Sequence, residues 1–530
     1  MAKLVRPQHL FFISLALGWI FDLLFWKKAA GISLPIFTFL IIVIGLWMAR
    51  RAGLKASPTA LWLLVPVVFF SLVPVFRLEP FTRFTSMALV FVLMSVFALS
   101  FLGGQWTRYG FADYIAKILG LLPNGLGVLR QTGEPAPKKR SGFSLRSLAP
   151  VGRGLLFVLP LLWFLAVLLA SADPAFARWL DSVFSFLNLD DAAEYLLRGF
   201  YILILAYILA AVYLVAFNNS RKEKLLGEDK PLVARSFGFV EAVTMLTAVN
   251  VLFASFVVFQ FSYFFGGTAN IVNTETGFTY SEYAVRGFWE LVIVAVTSLL
   301  FFMALSSVSK RETASRQRWF SGLGIALFAL VAVILASAFE RLLLYERVYG
   351  FTRMRTYPHV FMIWLGLLLL AIVILEAVGR QRAFALATLA AVAGFSATLA
   401  VINVDSLIVH NNIDLIQEGQ DFGPNSSRWD GGLDYSYLGT LSDDAVPALV
   451  SAYYQSIQND DPDLTVQVAT ALTCHFEVFN PGKAAAWQSW NLSRETGMVL
   501  WNQVKVHADF PIEAQIMASD ISSCQGLFWD

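Results

Sequence analysis

The densest run of chemically capable side chains lies between residues 340 and 359. It holds Glu340, Arg341, Tyr345, Glu346, Arg347, Tyr349, Arg353, Arg355, Tyr357 and His359. A guanidinium is a planar fork suited to carboxylate or phosphate, and tyrosines beside it could line a sugar or a lipid headgroup. A second group, Glu282, Arg286 and Glu290, recurs every fourth residue, which stacks the side chains on one helix face. The candidate binding residues are therefore Arg286, Glu290, Glu340, Arg341, Tyr345, Glu346, Arg353 and Arg355. Each group also has a structural reading. The ladder can be an interfacial ion-pair network, and Glu340 and Glu346 can pin their segment onto its neighbours. Read as an extended loop, the segment places Arg353 and Arg355 on the same side.

Other chemistry is thinly represented. HExxH, GxSxG, a Walker A loop and GxGxxG are all missing, since Gly125-Leu126-Gly127 lacks the third glycine. Ser307-Val308-Ser309-Lys310 has a Ser-x-x-Lys spacing but reads better as the basic end of a span. No cofactor and no metal site is expected. The two cysteines, Cys474 and Cys524, read as a disulfide. A zinc site with His475 and His507 is the alternative, and adjacent Cys-His is poor ligand spacing. The acidic run 459–463 lacks the glycine of an EF-hand loop and reads as a helix stop followed by a cap.

The elements that must hold these residues are membrane helices. Of 530 residues, 57% are hydrophobic and 14% charged, against about 25% charged in soluble chains. That leaves too little polar surface for a cytosolic enzyme or a nucleic-acid binder. Stretches long enough to cross a bilayer lie near 9–26, 31–48, 60–76, 84–104, 154–171, 195–217, 238–265, 283–308, 319–339, 358–379 and 384–403. The first reads as an uncleaved helix, because no small-residue cleavage site follows it. The expected fold is all-α, a polytopic bundle of about eleven spans over 1–403 with a small, mainly helical domain over 404–530.

Charge divides the chain at the same place. Residues 1–403 carry 35 Lys+Arg and 20 Asp+Glu, and residues 404–530 carry 4 and 17. Alternate inter-span segments, counted with the span ends that border them, carry 24 and 11 basic residues. By the positive-inside rule this predicts a cytoplasmic N-terminus and an extracytoplasmic acidic tail, a compartment where a disulfide persists. Within the tail, Asp443-Asp444 opens one helical pattern through Ile457, and Leu464–Phe476 reads as a second. The two make an antiparallel hairpin. Asp22, Glu241, Asn250 and Glu376 lie within or at the ends of spans, where polar groups need partners.

Four motifs carry a resemblance. They are Tyr283–Leu291, Tyr345–Thr352 running on to Arg355, the set Asn403, Asp405, Ile408 and Asn412, and Tyr437–Leu449. Together they resemble the bacterial multi-pass membrane proteins that carry the domain of unknown function numbered four-one-seven-three, related to four-one-five-three. His410 departs from the pattern, which would place an arginine there. The resemblance implies a bacterial cell membrane and brings no established activity, cofactor or catalytic residue. Three function classes follow. The first handles or transports an anionic envelope lipid or polymer. The second is a sensor or scaffold whose tail binds an extracytoplasmic protein partner. The third, a lipid-linked glycosyltransferase, ranks last, because the first outer loop offers Lys27 and Lys28 but no carboxylate.

Overall fold

The computed structural model describes residues 7–121, 189–220, 237–264, 288–310, 313–418, 433–479 and 486–512, with a few isolated positions besides. The described residues are mainly helical, and no strand occurs among them. Nine helices among them are long and apolar enough to cross a membrane, and Leu10–Phe25 is a shorter apolar helix. Ten of the eleven expected spans thus have a helix. The eleventh, 154–171, lies almost wholly outside the described residues.

The first group comprises α1 (Pro7–Phe25), α2 (Ser33–Arg51), α3 (Pro58–Leu61), α4 (Leu64–Phe76), α5 (Pro80–Leu99), the short α6 (Phe111–Leu119) and α7 (Leu189–Leu214). Leu17, Val67, Phe70 and Val96 are buried in its core. The second comprises α8 (Phe239–Phe264), α9 (Phe288–Val308), α10 (Ala314–Tyr349) and α11 (Arg353–Ala377). Its core holds Leu246, Phe302, Phe320 and Leu327. Helix α12 (Phe384–Ile402) contributes Ala400 to the first core and Ala391 to the second, and so joins them.

Beyond α12 the chain turns sharply. Asn403 adopts φ 51, ends α12, and caps α13 (Val404–Gln417) by accepting from the Ser406 N–H. Asparagine is one of the few residues that visit this left-handed region readily. The tail continues as α14 (Tyr435–Gly439), a 3₁₀ turn at Asp443–Ala445, α15 (Val446–Gln458), α16 (Pro462–Thr473) and α17 (Leu492–Val504). Helices α15 and α16 form the expected hairpin, with Asp461 capping the second through the Leu464 N–H at 3.0 Å. Cys474 and Cys524 form a disulfide with Cα atoms 5.6 Å apart. Tail residues Ile408, Tyr453, Val468 and Val504 share one core with Val360 of α11 and Leu399 of α12. The tail therefore forms a cap continuous with the bundle.

One expectation fails. Residues 340–349 are the last turns of α10, a helix of 36 residues, and not a loop. At 1.5 Å per residue it is about 54 Å long. Gly350, with φ 73, ends it, and α11 begins at Arg353. Arg353 and Arg355 sit in a helical first turn and diverge. The charges in 340–347 mark a helix leaving the apolar layer, because a helix satisfies its own backbone in either medium.

Candidate functional site

The cap meets the bundle through buried charge. At the start of α11, Arg353 donates from Nε to Asp405 Oδ1 at 2.7 Å and from Nη2 to Oδ2 at 2.5 Å. Asp405, in the first turn of α13, is fully buried. Its Oδ2 also accepts from the Ser442 N–H at 2.9 Å and hydroxyl at 2.6 Å. A buried carboxylate is tolerable only with such a full set of donors. The Arg353 N–H donates to the Tyr437 hydroxyl at 2.8 Å. One ion pair thus ties α11, α13 and two cap segments together.

A second tie is neutral. Asn412 accepts from the Phe351 N–H at 2.7 Å and returns its amide to the Phe351 carbonyl at 2.9 Å. This two-way bond fixes the turn between α10 and α11 against α13. A third lies at the turn between α4 and α5. Asp444 Oδ2 accepts from the N–H groups of Leu78 and Glu79 at 2.7 and 2.9 Å. Burial pushes the Asp444 carboxyl up, and the Ser493 hydroxyl with those two N–H groups pulls it part of the way back. Glu79 caps α5 by accepting from the N–H groups of Phe81 and Thr82 and takes a hydrogen bond from the Tyr357 hydroxyl.

Inside the cap, His475 is buried between two acceptors, the Gly439 carbonyl at 3.0 Å from Nδ1 and Asp443 Oδ1 at 2.7 Å from Nε2. Each ring nitrogen thus faces an oxygen, which fixes the plane of the imidazole between α14 and the 3₁₀ turn. Arg494 Nε donates to the other Asp443 oxygen at 3.4 Å.

The residues singled out from sequence divide accordingly. Arg353 pairs with Asp405. Arg355 donates to the Tyr349 carbonyl at 2.7 Å and the Gly350 carbonyl at 2.5 Å, and its guanidinium lies 4.3 Å over the Tyr345 ring. It thereby closes the C-terminus of α10, where a cation meets the negative end of the helix dipole. Glu346 is buried with Oε1 3.1 Å from His359 Nδ1. Glu340 is exposed, Arg341 half-buried, and Glu290 exposed in the first turn of α9. Arg286 and Glu282 lie outside the described residues. His410 is exposed and contacts the Ser406 carbonyl one turn back.

Within the spans, Asp22 of α1 pairs with Arg198 of α7 at 2.5 Å and accepts from Tyr201 at 3.1 Å. Glu376 accepts from Gln317 at 3.0 Å and from Ser321 at 3.3 Å. No group of three or more metal-ligating side chains occurs among the described residues.

Sequence reasoning passed over Glu79 and Asn491, the residue that caps α17, and took Ser442 only as part of the Tyr437–Leu449 motif. Glu79 had a signal, an acid directly before Pro80 at the head of an apolar run, which is a helix-start pattern. Ser442 and Asn491 each carry a local cap signal, accepting from the Asp444 and Arg494 N–H groups, but nothing local announces their remote partners.

The family described as Domain of unknown function (DUF4153) matches residues 64–452. The match runs from α4 through most of α15 and takes in all three ties. The chain belongs to this family, the second of the two numbered domains expected from its motifs, and it is an integral membrane protein. No curated protein and no solved structure matches it.

Proposed function

We propose that this member of the family is a sensor or scaffold of the bacterial cell membrane. Its N-terminus lies in the cytoplasm, and its acidic cap lies outside and binds a protein partner there. The observation that carries the reading is the Arg353–Asp405–Ser442 joint, which fastens the cap to the spans through buried charge. A cap held this way transmits a push on its outer surface to α11 and, through Phe351 and Asn412, to the end of α10. The 24-to-11 distribution of basic residues supports the orientation.

Handling of an anionic envelope lipid or polymer has less support. Arg353 and Arg355, the residues best shaped for such a ligand, make their strongest bonds within the protein. The deciding experiment is purification from native membranes with mass spectrometry of what accompanies the protein. A stoichiometric protein partner, lost on Asp405→Ala, supports the scaffold. A bound anionic lipid or glycan without a protein partner overturns it in favour of lipid handling. A phosphatase fusion after Asp530 that is inactive, beside a fluorescent fusion that glows, would reverse the orientation.

A further inference from the structure

The segment that leads into α17 bonds to the last turns of two apolar helices, α1 and α4. Gln488 Nε2 donates to the Leu23 carbonyl at 3.3 Å, two residues inside the end of α1. Asn491 Nδ2 donates to the Pro74 carbonyl at 2.7 Å, two residues inside the end of α4. Ser493 reaches the Phe76 carbonyl at 2.7 Å, and the Trp490 carbonyl accepts from the Ile32 N–H at 3.0 Å. Two of these partners lie two residues inside a helix end and the other two at the ends themselves, so the segment is level with the last helical turns of α1 and α4.

At that depth the exposed side chains are apolar. Trp487 is 58% exposed, Leu492 42% and Trp490 39%. On the bundle beside them, Leu23 and Phe76 are also exposed. A tryptophan facing water in a soluble domain forfeits apolar burial. At the end of a membrane span the same ring sits where the headgroups meet the acyl chains, with its N–H toward the polar side. Lys28 adds a positive charge at the same place, with Nζ 2.7 Å from the Leu23 carbonyl that Gln488 also touches.

We propose that residues 487–492 form a lipid-contact surface, with Trp487, Trp490 and Leu492 immersed in the interfacial layer of the protein's own bilayer. The occupant is phospholipid, and the surface follows from its continuity with the ends of α1 and α4. The cap is then anchored twice, by the buried charges to the bundle and by these side chains to the membrane. The inference is independent of which partner the cap binds.

The test uses the full chain reconstituted in phosphatidylethanolamine–phosphatidylglycerol vesicles. A photo-crosslinking phenylalanine analogue is placed singly at Trp487, at Leu492 and at Asp460, which is exposed in the turn between α15 and α16. Lipid adducts at 487 and 492, and none at 460, are expected. Adducts at 487 and 492 no more abundant than at 460, or adducts to protein alone, overturn the proposal. A second reading needs only Trp487→Phe, a mild change at an exposed position. The fluorescence difference between wild type and this variant should be quenched by brominated acyl chains. A difference quenched only by aqueous acrylamide rejects the immersion.

Discussion

Arg353 and Asp405 stand 52 positions apart and meet in a two-point ion pair that one cap residue, Ser442, completes. Removing one partner strands a buried charge, which costs about 3–5 kcal/mol. Asp405→Ala should therefore lower the unfolding midpoint of the purified protein sharply. The paired change Arg353→Met with Asp405→Leu should recover much of the loss, because it buries no charge. Equal losses in the single and the paired variant would mean that the ion pair is not what holds the joint.

At Gly31 the backbones of bundle and cap pass close together. A Cβ at this position would sit 2.4 Å from the Trp490 carbonyl oxygen and 2.7 Å from the Ser489 backbone. Neither is a flexible side-chain end that could swing away. Gly31→Ala should force the two backbones apart at a cost of about 1–3 kcal/mol, the usual range for overpacking. Hydrogen exchange reads this locally. The Ile32 amide, bonded to the Trp490 carbonyl, should lose protection while amides of the α8–α11 group keep theirs. Unchanged exchange at Ile32 would contradict the contact.

The Cys474–Cys524 bridge spans 50 residues of the cap. Cys474→Ser with Cys524→Ser should lower cap stability by about 2–5 kcal/mol. Limited proteolysis with and without reductant should show faster cleavage within 474–524 in the reduced wild type and in the variant alike. Free thiols in protein purified under non-reducing conditions would remove the bridge from the account.

Asp434 gives the cap a pH dependence. Burial pushes its carboxyl up to about 6, against the hydrogen bond from the Tyr437 N–H and the charge of Arg355. An ordinary unfolded carboxyl titrates near 3.9. Between those values the folded state holds the extra proton, so the stability from this group is present at low pH and lost as pH rises through about 6. Asp434→Asn keeps a cap acceptor without the charge. Its unfolding midpoint should exceed that of wild type above pH 6, and the gap should close toward pH 4. A gap that does not vary with pH would place the effect elsewhere.

The bundle was legible in the sequence because crossing a bilayer leaves a long apolar signature that neighbouring contacts do not alter. The tail hairpin was legible for a similar local reason, with Asp443 and Asp461 at the helix starts. The 340–349 segment misled because a hydropathy profile reads charge as the end of an element, whereas a helix ends where its backbone is capped, here at Gly350. The candidate site was half visible. Arg353, Asp405, Asn412 and Asp444 were all singled out, yet Arg353 was read as a ligand-facing arginine. Its partner lies two helices away, and nothing local announces that pairing.

The bond from Ile32 to Trp490 joins residues that leave the ribosome 458 positions apart. The first two helices, and the turn after α4, are therefore made and inserted long before the segments that bond to their cap-facing ends. Until residues 405–493 arrive, the N–H groups of Leu78 and Glu79 and the carbonyl of Pro74 lack their cap partners. The bundle is thus unfinished at its cap-facing rim until residues 405–493 have been made. A chain cut short before Asp405 would present that rim, with the charge of Arg353 and the unmet Ile32 N–H, to any quality-control protease working at the membrane surface.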